Sequence, residues 1–72
     1  MNQVCEEELR PFLAEALNPD TPPYRLKMLA VHQEWLVRSL VAKNPSTPAR
    51  SLEVLVKDDH PLVREAAYYG RR

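Results

Sequence analysis

The 72-residue chain contains the motif Asn-Pro-x-Thr-Pro twice, at residues 18–22 and 44–48, in copies 26 residues apart. Asn followed by Pro suits the end of a helix, because proline lacks the amide hydrogen that a continuing helix needs. Thr followed by Pro suits the start of the next, since threonine is a good N-cap and proline is tolerated at the first helical position. Each copy therefore predicts a corner, which ends one helix and begins another within a few residues.

The register of 26 residues extends beyond the corners. Apolar residues and one arginine recur in it, as Leu26 and Leu52, Leu29 and Leu55, Leu36 and Leu62, Val37 and Val63, and Arg38 and Arg64. Asn18, Asn44 and Gly70 also align, and all three are residue types that tolerate the left-handed conformation in which many helices end. A fixed period of this length is typical of repeat architectures.

Five helices are predicted from the spacing of apolar residues between these breaks. They span residues 3–17, 22–31, 34–43, 48–57 and 61–69. Pro11 should kink or divide the first helix, and His60 or Asp59 should cap the last. Because such short helices bury too little surface to fold alone, neighbouring repeats must share a core. We expect that core to contain Leu26, Leu29, Val37, Leu40, Leu52, Leu55, Val63 and Ala66.

These features predict an all-α fold, a short α-solenoid of about two helical repeats of 26 residues plus an N-terminal helix. A chain of this length holds a single domain. Within it, residues 1–17 form an N-terminal capping helix, residues 18–43 the first repeat and residues 44–70 the second. Two repeats are fewer than the roughly three that stability usually requires. Either residues 1–17 serve as a third, capping unit, or the protein associates.

A family resemblance rests on residues 18–68, where Asn-Pro-x-Thr-Pro is followed by leucines, by Leu-Val-Arg and by a helix rich in small residues. This pattern resembles the leucine-rich repeat variant family, a relative of the HEAT and armadillo repeats. The resemblance implies a right-handed superhelix of short helices, some of them 3₁₀, and a role in binding, since the family shares no catalytic residues. One described member carries an iron–sulfur cluster on several cysteines, but this chain has only Cys5, so that feature does not carry over.

Charge is distributed unevenly, although the formal net charge is zero. Residues 1–20 carry a net charge of −4 and residues 21–72 a net charge of +4, which favours contact between the two ends, in one molecule or between neighbours. The basic part falls short of the footprint of a dedicated nucleic-acid binder. No apolar run approaches the roughly 18 residues that span a bilayer, and the N-terminus lacks the order of a signal peptide, so we expect a cytoplasmic protein without membrane contact.

Motifs for catalysis or cofactor binding are lacking. Cys5 has no second cysteine with which to form a disulfide or a metal site, and the glutamates beside it disfavour its thiolate. The two histidines lack the spacing and the cysteine partners of a zinc site. Gly70 is the only glycine, so phosphate-binding loops and nucleophile elbows are absent from the sequence. We expect no enzymatic activity, no cofactor, no metal and no small-molecule substrate.

The candidates for interaction with a partner are Trp35, Tyr68, Tyr69, Arg38, Arg64, Arg71 and Arg72. The repeat-equivalent Arg38 and Arg64 either form a row of guanidinium groups that binds phosphate or carboxylate, or bond to carbonyls or acids of an adjacent turn and fix the stacking. Trp35 either covers the seam between repeats or is an exposed anchor. The two tyrosines either cap an otherwise open core or offer an apolar surface to a partner.

The sequence therefore predicts a non-enzymatic scaffold module, built from helical repeats, that binds a protein partner or associates with itself. The alternative is a module that contacts nucleic acid through its arginines and lysines. That basic face would consist of Arg25, Lys27, Lys43, Arg50, Lys57, Arg71 and Arg72. Salt separates the two functions, because binding to phosphates should weaken steeply as salt rises from roughly 50 to 200 mM.

Overall fold

A computed structural model describes residues 6–70 of the chain, with side chains from residue 8 onward. Five α-helices follow one another: α1 Glu6–Leu17, α2 Pro23–Leu29, α3 Trp35–Lys43, α4 Ala49–Leu55 and α5 Pro61–Gly70. Residues 6–70 contain no strand, so the predicted all-α class is confirmed. The last four helices begin within one residue, and end within two, of the bounds predicted from the sequence.

The central helix of the fold is α3, which packs against both α1 and α5, while the shorter α2 and α4 connect these three. At one end of α3, the Trp35 ring stacks on His60, which directly precedes α5. At the other end, Ala42 lies against Gly70, the last residue of α5. Since the two starts meet and the two ends meet, α3 and α5 run parallel.

One apolar cluster forms the core. Five of the eight predicted core residues are buried in it, namely Leu26, Leu29, Val37, Leu55 and Val63. The other three, Leu40, Leu52 and Ala66, are partly buried and pack against its edge. Leu9 and Ala16 of α1 belong to the same cluster, so α1 shares the core of the helices that follow it.

The first helix runs through Pro11 without interruption. Of the two outcomes predicted for this proline, a kink or a division of the segment, the division does not occur. A proline inside a helix removes one backbone hydrogen bond, and the surrounding helix survives because Leu9 on one side and Ala16 on the other are held in the core. Residues 3–5 of the predicted helix lie outside the described part of the chain.

The threonine of each corner serves the helix that ends there. The hydroxyl of Thr21 donates a hydrogen bond to the carbonyl oxygen of Glu15, and that of Thr47 to the carbonyl oxygen of Val41, both at 2.6 Å. The prolines that follow are the N-caps of α2 and α4, and neither helix has a side-chain cap. The prediction that the threonines are N-caps is wrong. Their hydroxyls instead satisfy carbonyls in the last turn of the preceding helix, which have no amide partner within it.

The asparagine of each corner keeps an ordinary backbone conformation. No residue within 6–70 has a positive φ. Asn18, Asn44 and Gly70 tolerate the left-handed backbone conformation in which many helices end, but they do not adopt it. The side-chain oxygens of the two asparagines accept the backbone N–H of Asp20 and Ser46, two residues further on, at 2.9 Å in each case. This local turn, in which an asparagine side chain takes the place of a backbone carbonyl, sets the direction of the chain after each helix.

Truncation of a core leucine tests the shared core. We expect Leu55→Ala to lower the free energy of unfolding by about 2–5 kcal/mol, because Leu55 is fully buried and the substitution leaves a cavity. Leu17→Ala is the matched control, since Leu17 is 57% exposed and should cost about 0.5 kcal/mol or less. Urea unfolding followed by circular dichroism measures both. Equal losses in the two variants would contradict the packing.

Substitution of Thr47 tests the new role of the corner threonines. Thr47→Val keeps the shape of the side chain but removes one of the two donors to the carbonyl of Val41, since only the backbone N–H of Asn44 remains, so we expect a loss of about 0.5–1.5 kcal/mol in the free energy of unfolding. Thr47→Ser retains the hydroxyl and should lose less. If valine were tolerated as well as serine, the bond from the hydroxyl to the carbonyl would not stabilise the corner.

Candidate interaction surface

Arg38 joins α3 to the loop that precedes α5. Its Nη1 donates to the carbonyl oxygen of His32 at 2.6 Å, and its Nε and Nη2 donate to the two carboxylate oxygens of Asp58 at 2.8 and 3.0 Å. The side chains of Arg38 and Asp58 are only 16% and 11% exposed. A two-pronged bond between opposite charges, shielded from water, is among the stronger polar contacts available to a protein.

His32 and Asp58 are equivalent in the 26-residue register, and their side chains act alike. The Nδ1 of His32 accepts the backbone N–H of Glu34 at 3.1 Å, and the Oδ1 of Asp58 accepts that of His60 at 2.9 Å. The backbone carbonyl oxygens of His32 and Asp58 also accept a hydrogen bond from the Nη1 of an arginine six residues further on, Arg38 and Arg64 respectively, at 2.6 Å in both cases. The loops before α3 and α5 are therefore built in the same way.

The environment of Asp58 favours its charged form. Burial acts to raise the pKa of this carboxyl group, but the hydrogen bonds from the Arg38 guanidinium and from the His60 backbone, together with nearby positive charge, outweigh burial and lower it. A second ion pair joins Arg25 of α2 to Glu15 of α1, with both N–O distances 2.7 Å. There the hydrogen bond from Arg25 lowers the pKa of Glu15 in spite of partial burial.

Contacts between register-equivalent positions form a series. Phe12 of α1 packs on His32, with ring centroids 4.8 Å apart. One repeat later, at the equivalent positions, Arg38 binds Asp58. We call each such contact a rung: the residue at position 12, 38 or 64 together with the residue 20 positions further on. The first rung is aromatic and the second is ionic. Arg64 stands at the equivalent position on α5.

Arg64 is exposed on α5. Its Nη1 donates to the carbonyl oxygens of Asp58 at 2.6 Å and of Asp59 at 3.0 Å. Its Nε and Nη2, the two groups that hold the carboxylate in the second rung, meet no acceptor among the side chains of residues 8–70. Arg38 and Arg64 are therefore equivalent in sequence, but each of the three nitrogens of the Arg38 guanidinium has an internal partner, whereas Nε and Nη2 of Arg64 have none in the described part of the chain.

Trp35 lies over the junction between α3 and the start of α5. Its side chain packs against the core, and its ring stacks on that of His60, with centroids 4.1 Å apart and an angle of 9° between the planes. The Nδ1 of His60 in turn accepts the backbone N–H of Leu62 at 3.1 Å. His60, one of the two residues expected to cap α5, thus fills that position and supports the tryptophan.

A groove of about 580 Å³ lies between α3 and α5. Its wall is mainly apolar, and one residue of each charge lies along it. Its lining includes Leu36, Leu40, Leu62, Tyr69, Lys43 and Glu65. Leu36 and Leu62 occupy equivalent register positions, so the two helices present similar surfaces to the groove.

Tyr68 and Tyr69 are exposed at the end of α5. They retain 66% and 67% of their accessible surface and meet edge to face, with centroids 5.4 Å apart. Only Tyr69 borders the groove. Gly70 follows and lies so close to α3 that a Cβ there would stand 2.5 Å from the carbonyl oxygen of Ala42. Arg71 and Arg72, also predicted as interaction residues, lie outside the described part of the chain.

The sequence analysis does not identify Asp58 as the partner of Arg38. The signal that could have identified it is the spacing of 20 residues between an arginine and an acid that follows it, combined with the equivalence of Asp58 to His32. Asn44 was also missed as a link between helices. Its Nδ2 donates to the carbonyl oxygens of Ala16 and Asn18, at 2.8 and 2.9 Å, and joins the second corner to the first.

Within the described residues, no group of three or more His, Cys, Asp and Glu side chains is arranged to hold a metal ion. None of the five described helices has the length and apolar character needed to cross a membrane. Comparisons with family models, with curated proteins and with solved structures find no match to this chain. The resemblance to the leucine-rich repeat variant family therefore stays a prediction based on the sequence motifs.

The ionic rung predicts a pH dependence. The pKa of Asp58 is lower in the folded chain than its ordinary value of 3.8, so its contribution to stability is present above that value and is lost as the pH falls through the folded pKa. At pH near 7, Asp58→Asn should lower the free energy of unfolding by about 1–3 kcal/mol, and below about pH 3 the difference from wild type should shrink. Asp59→Asn is the matched control, and urea unfolding at both pH values measures the effect. A difference that does not change with pH would contradict the role of the charge.

Proposed function

We propose that this chain is a non-enzymatic interaction module, a short α-solenoid of two repeats capped by α1, that associates with another copy of itself through the exposed surface of α5. The repeat reading is supported by hydrogen bonds that recur at the 26-residue period, from the asparagines and threonines of the corners and from Arg38 and Arg64. The capping role of α1 is supported by its packing on α3 and by its share of the core.

The observation that carries this proposal is the exposure of large apolar side chains on α5. Leu62, Tyr68 and Tyr69 each expose half or more of their surface, and Leu62 and Tyr69 border the groove between α3 and α5. Apolar surface grouped beside a groove is typical of interaction sites. Tyrosine is enriched in interfaces because its rigid ring offers a large contact area and its hydroxyl tolerates water.

Charge supports another copy as the partner. Residues 1–20 carry a net charge of −4, whereas residues 21–72, which include α5, carry +4. Contact between the acidic residues 1–20 of one copy and the basic part of the next brings opposite charges together. Such a head-to-tail interface uses two different surfaces, so a chain that presents both can form it without any further protein.

Nucleic acid is the alternative ligand left open by the sequence. Arg25, one of the residues on which that alternative depends, is held by Glu15 at 2.7 Å, and Lys43 shares its groove with Glu65. These acids reduce the positive potential that a phosphate backbone would meet. The arrangement therefore favours a protein partner over nucleic acid.

Substitution of the tyrosines tests the proposal. We expect the weight-average mass of the wild-type protein in analytical ultracentrifugation to rise with concentration, and Tyr68→Ser/Tyr69→Ser to remain monomeric, since the double variant removes the apolar centre of the contact. Tyr24→Ser is the matched control, because Tyr24 is equally exposed, at 67%, but lies on α2.

A wild-type protein that stays monomeric up to about 1 mM, the concentration scale of a very weak contact, would overturn self-association. The same measurement with a short DNA duplex at low and high salt tests the alternative. Binding to the duplex that weakens steeply with salt, without self-association, would favour the nucleic-acid function.

A further inference from the structure

Arg64 repeats the anchoring bond of Arg38, but no carboxylate among the side chains of residues 8–70 pairs with it. In both arginines, Nη1 is held at 2.6 Å from the carbonyl oxygen of the residue six positions earlier. In Arg38, that bond leaves Nε and Nη2 directed at the carboxylate of Asp58, at 2.8 and 3.0 Å. Arg64 has the same anchoring bond, so the same two donors are presented together at the surface of α5.

Fixed donors make Arg64 a prepared site for a planar anion. A guanidinium group that is already oriented loses less side-chain freedom on binding, and its paired N–H groups match the spacing of the two oxygens of a carboxylate. The second rung gives an internal example, since a carboxylate fills the same position beside Arg38.

We infer that Arg64 binds a carboxylate from the acidic segment of residues 6–8 of a second copy, and so completes the third rung across a head-to-tail contact. This inference rests on the self-association proposed above and adds the residue that sets its direction and spacing. The segment consists of three consecutive glutamates, Glu6, Glu7 and Glu8, the densest acidic run of the chain.

The register of the chain singles out this segment. The partner of Arg38 lies 20 residues further on, and Glu6 stands at the register position of Asp58, two repeat lengths earlier in the sequence. In the proposed array, α1 of the second copy packs on α5 of the first, in the same way as α3 packs on α1 within one chain. The acidic segment of the second copy then lies beside Arg64 of the first. This head-to-tail order also brings the acidic residues 1–20 of one copy next to the basic part of another.

Reversal of charge tests the inference in the full-length chain. Arg64→Glu, and separately Glu6→Arg/Glu7→Arg/Glu8→Arg, should each raise the dissociation constant of self-association by about tenfold or more, since each leaves like charges facing one another. A mixture of the two variants should recover association, because glutamate at position 64 then meets arginines and the reciprocal contact is the native one. Analytical ultracentrifugation measures the variants alone and mixed.

Two further variants separate the rung from general electrostatics. Arg50→Glu makes the same change in charge at an exposed position of α4 and should alter the dissociation constant by less than about threefold. Arg64→Lys keeps the charge but cannot bind both oxygens of a carboxylate, so it should weaken association more than Arg50→Glu. Thermal unfolding followed by circular dichroism checks that each variant is folded.

The outcomes distinguish this inference from the proposed function. If Arg64→Glu associates as Arg50→Glu does, or if the mixture fails to recover association, the third rung is overturned, whereas loss of association in Tyr68→Ser/Tyr69→Ser would leave the proposed function standing. If the tyrosine variant associates normally and Arg64→Glu does not, the rung stands and the tyrosine-centred contact fails. A wild-type protein that is monomeric throughout overturns both.

Discussion

A helix of seven residues is not stable alone in water, and α2 and α4 are each of that length. Their stability depends on the core that they share with α3, since Leu26 and Leu29 from α2, Val37 of α3 and Leu55 of α4 belong to one buried cluster. Because α3 packs on all four of the other helices, the loss of α3 removes part of the environment of each of them. The fold therefore has few contacts that are local to one element, and we expect it to unfold as a unit.

Because each corner brings polar backbone groups close to the shared core, these groups need hydrogen-bond partners within the protein. The corner threonines donate to carbonyls at the ends of α1 and α3, and the Asn44 side chain spans the distance from the second corner to the first. As a result, every buried side-chain nitrogen or oxygen in the described part of the chain has a hydrogen-bond partner. Side chains that complete the backbone of a neighbouring segment also hold the helices in register.

The sequence allowed the helices to be placed closely, because proline and the spacing of leucines act locally. It misled on Thr21 and Thr47, since a threonine hydroxyl can accept from an amide ahead or donate to a carbonyl behind, and in both corners it donates to a carbonyl in the last turn of the preceding helix. The bond between Arg38 and Asp58 joins residues 20 positions apart, and it becomes visible only when successive helices are stacked. The exposure of Tyr68 and Tyr69 likewise depends on which face of α5 meets α3, which periodicity alone did not settle.

The rungs also affect which helices pack against one another. The first pairs an aromatic ring with an imidazole, and the second pairs a guanidinium with a carboxylate. An arrangement displaced by one repeat would place Phe12 against Asp58 and deprive a shielded charge of its partner, which is costly. The difference in chemistry between otherwise similar rungs therefore raises the free energy of mispaired or domain-swapped arrangements, which the near-identical corners alone would permit.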